Sequence, residues 1–130
     1  MNSCVVLNIS ALPDVDEATR IVRQFAVELG FATIPSYHIA TAASELACNL
    51  LDHGGGGTLE VRKFETRYGL QLLASDSGPG IADIELSMKD GYSSKASLGS
   101  GLPAVGRLMD EIAIDSHSGK GTRVWACKWL

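Results

Sequence analysis

"YGLQLLASDSGPGI", residues 68–81, carries an apolar run into an acid, a proline and two glycines. The first half reads as a β-strand, with strand-forming residues bounded by polar punctuation. A plain turn after such a strand needs at most one glycine. Here Gly78 and Gly80 flank Pro79 just beyond Asp76. Two readings are open for this segment. It is a turn with aspartate at its first position and proline inside it, or Asp76 is a binding group. An ionised carboxylate only accepts hydrogen bonds, so it suits an exocyclic amine such as that of adenine. Glycines beside it let backbone approach a flat ring with no Cβ in the way.

The strand has a partner upstream. "TLEVRKFE" (58–65) alternates apolar and polar residues, as a strand with one wet face does. A short polar turn at Thr66–Arg67 then predicts a hairpin with "YGLQLLAS" (68–75). Before it, "GGGG" (54–57) ends a helix expected from Pro35 to His53, with Ile39, Ala42, Ala43, Leu46, Ala47 and Leu50 turned inward. An earlier helix is expected from Asp14, because Val15, Ala18, Ile21, Val22, Phe25, Ala26 and Leu29 share one helical face. Gly30 stands where a terminating glycine belongs. "CVVLNIS" (4–10) predicts a first strand, broken by "ALPD".

Downstream, residues 77–100 are rich in glycine and serine and show little periodicity, which predicts a long functional or mobile loop. "GLPAVGRLMDE" (101–111) resumes a helix. "IAIDSH" (112–117) and "TRVWACKWL" (122–130) are two last strands around the turn "SGKG" (118–121). The order β-α-α-β-β-loop-α-β-β, with no repeat and no linker, predicts a single α+β domain over residues 1–130. Its form is a two-layer α/β sandwich: a mixed, mostly antiparallel sheet with helices on one face.

Composition narrows the function classes. The 130 residues are 45% hydrophobic and 20% charged, ordinary for a soluble domain with a buried core. A net charge of −4 gives no electrostatic case for nucleic acid or an anionic membrane. No apolar run approaches the ~20 residues that span a bilayer. "MNSCVVLNIS" has neither the basic start nor the cleavage pattern of a signal peptide. Cys4, Cys48 and Cys127 match neither a disulfide framework nor a zinc spacing. Three reduced thiols in a cytoplasmic protein is the expectation.

Four short constellations bear on chemistry. Glu45 and Asn49 stand four apart on the second helix, and His53 four further on. This polar stripe is a solvated face, or it holds a hard cation, since Mg²⁺ takes oxygen ligands and shares them with water and phosphates. Asp76 with its glycines is the second. The third is "GSGLPAVG" (99–106): amides of a glycine-rich segment opening a helix form an anion site. Gly99, Gly101 and Ala104 match G-x-G-x-x-A, yet no strand precedes them as a dinucleotide fingerprint requires. A glycine-rich helix cap without a ligand is the alternative. Gly121–Thr122, opening the last strand, is the fourth. Its hydroxyl bonds a base or a bridging water, or is there for strand propensity alone.

The order of these four resembles the GHKL (Bergerat-fold) ATPases, across residues 45–122. That resemblance implies a Bergerat-type sandwich that binds ATP with Mg²⁺. It implies Glu45 as the base for a substrate hydroxyl and Asn49 as the metal ligand. Asp76, Gly78, Gly80, Ile81 and Thr122 would hold adenine, and Gly99, Gly101 and Leu102 would offer amides to the phosphates. His53 and Lys95 are further candidate phosphate contacts; His53 equally suits a helix cap and Lys95 a solvated loop. With 44 residues before Glu45, no dimerisation and phosphoacceptor domain is expected.

"TAASELACNLL", "GSGLPAVGRLMDE" and "GTRVWACKWL" are similar to the small anti-sigma-type serine/threonine kinases of stressosome partner switching. This implies STAS-domain substrate proteins and a downstream phosphatase or cyclase-type effector, with no nucleic acid and no membrane. A non-catalytic partner-switch module, or a histidine-kinase-type ATPase domain acting in trans, is the alternative. Two stretches depart from the family pattern: the four glycines after His53 and the serine-rich segment "MKDGYSSKASLGSG". Residues 88–100 are expected to be mobile without nucleotide and to close over its phosphates.

Overall fold

The computed structural model describes residues 3–76, 101–117 and 121–130. Among them run β1 (Cys4–Ile9), α1 (Leu12–Leu29), α2 (Thr33–Gly54), β2 (Gly57–Lys63), β3 (Gly69–Ser75), α3 (Leu102–Leu108), β4 (Glu111–His117) and β5 (Gly121–Trp129). The segment expected to close over a nucleotide (88–100), with Lys95 and Gly99, lies outside the described residues, and so do Gly78, Gly80 and Ile81.

The strands form one sheet in the order β1-β2-β3-β5-β4, and every pair is antiparallel. Two helices between β1 and β2 carry the chain out and back, so β2 returns beside β1 in the opposite sense. The hairpin expected over 58–75 is β2–β3, with Leu59 opposite Ala74 and Val61 opposite Leu72.

Residues directly opposite in an antiparallel pair share a face. One row across the sheet is therefore Leu7, Leu59, Ala74, Val124 and Ile114; the next is Val5, Val61, Leu72, Ala126 and Ile112. These rows meet the helix layer and form the core. The other face presents Val6, Glu60, Leu73 and Trp125. Helix α2 spans the layer and touches β1, β2, β3 and β5, while α1 covers β1 and β2. All six residues expected inward on α2 are buried. Burying a leucine such as Leu46 is worth about 1.5–3 kcal/mol. The small side chains of Ala42, Ala43 and Ala47 let neighbouring layers come close.

Most element ends fall within two residues of expectation, α2 for example running from Thr33 to Gly54, and three differences have local reasons. "LPD" opens α1 rather than preceding it: Pro13 sits in the first turn, where a missing N–H costs nothing. The Asp14 carboxylate then accepts the Ser10 and Ala11 amides at 2.9 and 3.1 Å. Helix α3 stops at Leu108 instead of running to residue 111, because its following residues join the sheet end. The Asp110 amide donates to the Cys127 carbonyl, and the Asp110 carboxylate accepts the Trp129 amide. The β2–β3 turn is longer than two residues, since Phe64 leaves the strand to stack on Trp129 at 4.7 Å between ring centroids.

Candidate functional site

Helix α2 is the axis of the site. Glu45 and Asn49 are half-buried on it, and His53, in its last turn, is exposed. The helix ends at Gly55, whose φ of 71° is left-handed and whose amide donates back to the Leu50 carbonyl.

Around Glu45 the neighbour is the start of α3. The Glu45 carboxylate accepts a hydrogen bond from the Gly101 amide. Its Oε2 is buried with no hydrogen-bond partner among the described residues. Burial pushes the Glu45 pKa up, and the Gly101 hydrogen bond offsets only part of that shift. The group is therefore a stronger base than an exposed glutamate. Gly101 is the residue before α3, with φ 66°, and the Leu102 side chain beside it is buried in the core.

At the other end of α2 the neighbour is Asp76. Leu70, Leu72 and Ala74 of β3 face the helices and are buried. Asp76 continues that alternation one step past the strand. Its amide donates to the Thr122 carbonyl at 3.0 Å, which ties it to the start of β5. Its side chain lies against Gly54: a Cβ there would stand 2.5 Å from Asp76 Cγ and 2.7 Å from Oδ2. Thr122 is itself buried, and its hydroxyl lies 2.9 Å from that of Ser116 on β4.

Along α2 the structure thus sets the Gly101 amide at Glu45 and the Asp76 side chain, tied to Thr122, at Gly54, with Asn49 one turn on from Glu45. Nine residues of helix separate Glu45 from Gly54, roughly 14 Å along the axis. His53 is placed near the Asp76 end, in the last turn rather than beside Gly101. Gly78, Gly80, Ile81, Lys95 and Gly99 fall outside the described residues. Sequence reasoning missed Ser116, the hydroxyl partner of Thr122, and Gly54. The surplus of glycines after His53 was the available signal for Gly54; nothing local pointed to Ser116.

Among the described residues no group of three or more His, Cys, Asp or Glu could hold a metal ion. A Mg²⁺ ion sharing phosphate oxygens needs no such cluster, and Asn49 is an oxygen donor of the right kind. The thiols of Cys4, Cys48 and Cys127 are unpaired, and burial is the largest cause raising the pKa of each. They are poor nucleophiles near neutral pH. No described helix is long and apolar enough to cross a membrane.

Residues 10–128 match the histidine kinase-like ATPase domain. The fold is similar to the mycobacterial sensor histidine kinase MprB, with a TM-score of 0.59 at 18% identity over 95% of each chain. It is also similar to the histidine kinase domain of the Erythrobacter litoralis EL346 blue-light activated histidine kinase: TM-score 0.55 and 19% identity, over 89% of this chain and 60% of that one. The chain belongs to the histidine kinase-like, or GHKL-type, ATPase family. It is 42% identical to the serine/threonine-protein kinase RsbT of Bacillus subtilis (strain 168), over all of this chain and 99% of that one. It is 29% identical to the anti-sigma F factor of Thermoanaerobacter sp. (strain X514), over 87% and 83% of the two chains. By this kinship it is a protein serine/threonine kinase.

Proposed function

We propose that the chain transfers the γ-phosphoryl group of ATP to a serine or threonine of a STAS-domain regulatory protein in a stressosome-like complex. Release of a partner would then activate a downstream phosphatase or cyclase-type effector. A cytoplasmic location goes with this reading. The observation that carries it is the pair of neighbours along α2, Gly101 at Glu45 and Asp76 at Gly54.

Asp76 accepts the 6-amine of adenine, where guanine carries a carbonyl oxygen, and Thr122 supports the same end. Gly78, Gly80 and Ile81 are assigned to the base by family resemblance. Asn49 would hold Mg²⁺, which would supply charge neutralisation for the phosphates. The amides of Gly99, Gly101 and Leu102, with His53 and Lys95, serve the phosphates. Glu45 orients the substrate hydroxyl and accepts its proton, and its raised pKa favours that role. The Gly101 amide now bonded to Glu45 is the one assigned to phosphate, so nucleotide would compete for it and release the carboxylate.

The test is incubation with labelled ATP, Mg²⁺ and STAS-domain proteins of the same genome. Acid-stable label on the STAS protein is expected, since phosphoserine and phosphothreonine survive acid and phosphohistidine does not. Glu45→Ala should still bind ATP but transfer roughly 10²–10⁴-fold more slowly, whereas Asn49→Ala should lose Mg²⁺-dependent binding. The likeness to an anti-sigma factor favours a second reading, a nucleotide-dependent binder that transfers nothing. Partner capture with no label on any candidate would select it.

A further inference from the structure

We propose that Gly54 is a positioning residue for base recognition: the missing Cβ at the last turn of α2 is the seat of the Asp76 carboxyl, and that seat sets the preference for adenine over guanine. The inference rests on the nucleotide reading above and assigns its specificity to a residue outside the base-contacting set.

Helix α2 includes Gly54, and the glycines with left-handed φ are Gly30, Gly55, Gly56, Gly101 and Gly121. Gly54 is not among them, so its backbone accepts any L-residue. Glycine is also the poorest helix former apart from proline. Neither helix geometry nor termination, which Gly55 performs, accounts for glycine here. The explanation is the neighbour. A Cβ at Gly54 would lie 2.5 Å from Asp76 Cγ, 2.6 Å from Cβ and 2.7 Å from Oδ2, all separations that real Cβ atoms do not adopt.

Asp76 cannot retreat by backbone movement alone, since its amide is bonded to the Thr122 carbonyl at 3.0 Å. A side chain at position 54 would instead rotate the Asp76 carboxyl away from the helix end. A carboxylate that reads an amine must hold its oxygens in line with the donor, and hydrogen bonds weaken steeply off line. One methyl group would therefore displace the reader while leaving its charge and identity intact.

The experiment compares wild type, Gly54→Ala, Asp76→Gly and the double variant, since only glycine removes every Asp76 side-chain atom near position 54, its Cβ included. ATP and GTP, each with Mg²⁺, are titrated into all four, and each is melted without nucleotide. Gly54→Ala should bind ATP roughly tenfold or more weakly and narrow the ATP-over-GTP preference. The double variant should bind no worse than Asp76→Gly, because the contact is already gone. In the melts, Gly54→Ala should lower Tm in the wild-type background but leave it equal or raise it in the Asp76→Gly background. If Gly54→Ala alone does not fold, recovery of folding in the double variant shows the same contact. Wild-type affinity and selectivity in a folded Gly54→Ala protein would overturn the proposal, as would losses that simply add in the double variant. Failure of the wild type to bind ATP would instead overturn the nucleotide reading, while the melts still report whether the two residues are coupled.

Discussion

At the scale of single residues, Glu45 combines a cost in stability with the proposed role of base. Burial raises its pKa in the folded chain. The sign of the linkage follows: its contribution to stability is fully present below the unfolded pKa, about 4.3 for glutamate, and is lost as pH rises through the folded value. Glu45→Gln should therefore raise Tm at neutral pH and leave it unchanged near pH 4. Water screens part of the penalty at this half-buried position, so the gain is expected at no more than about 1 kcal/mol. Phosphoryl transfer by the same variant should fall steeply, and melts at two pH values with a transfer assay check both halves. Asp76 gives a simpler expectation. Asp76→Asn keeps the size but can turn a donor toward the adenine amine, and an unsatisfied buried group costs about 1–3 kcal/mol. ATP affinity should fall roughly tenfold or more, read by titration; an unchanged curve would remove Asp76 from the site.

At the scale of elements, the start of α1 is held by one carboxylate. Asp14 Oδ2 accepts the Ser10 amide, the Ala11 amide and the Ser10 hydroxyl at 2.9, 3.1 and 3.1 Å. The Ser10 and Ala11 amides are the first causes holding its pKa below the usual aspartate value. A depressed pKa contributes stability above the unfolded pKa and loses it as pH falls through the folded one. Asp14→Ala should lower Tm at neutral pH, and the difference should vanish in strong acid. A deficit equal at both pH values would mean the loss is not one of charge. The C-terminal strand holds another element end. Lys128 Nζ donates to the Leu108 carbonyl at 2.8 Å, and Trp129 Nε1 to Glu111 at 2.7 Å. The Arg67 guanidinium covers the Trp129 ring at 3.9 Å from its centroid. These contacts explain why α3 is short: its last carbonyl and the residues after it are taken up by β5.

At the scale of the whole molecule, the proposed site draws on α2, α3 and the ends of β3 and β5, so a nucleotide held there would bridge both layers. Binding to the folded state alone stabilises it by mass action, about 2.7 kcal/mol at a ligand concentration one hundred times Kd. ATP with Mg²⁺ is expected to raise Tm by several degrees in a concentration-dependent way, and GTP with Mg²⁺ by much less. A thermal shift series with both nucleotides checks this; equal shifts would contradict base reading by Asp76.

The sequence by itself determined the element order, the hairpin and the inward faces of α1 and α2. Those follow from patterns of period two and 3.6, which act within a few residues. It also determined the family, because Glu45–Asn49, Asp76, Gly101 and Thr122 keep their order along the chain. Tertiary structure alone decided where α3 stops, since Asp110 is claimed by Cys127 and Trp129 from a strand that comes later in the chain. It alone set the basicity of Glu45, which depends on how α3 covers it. And it alone gave Gly54 a reason, because the atoms that forbid a side chain there belong to Asp76, more than twenty residues away along the chain. Local patterns record which way a side chain must face; what it meets on arrival is fixed only when the helix layer closes on the sheet.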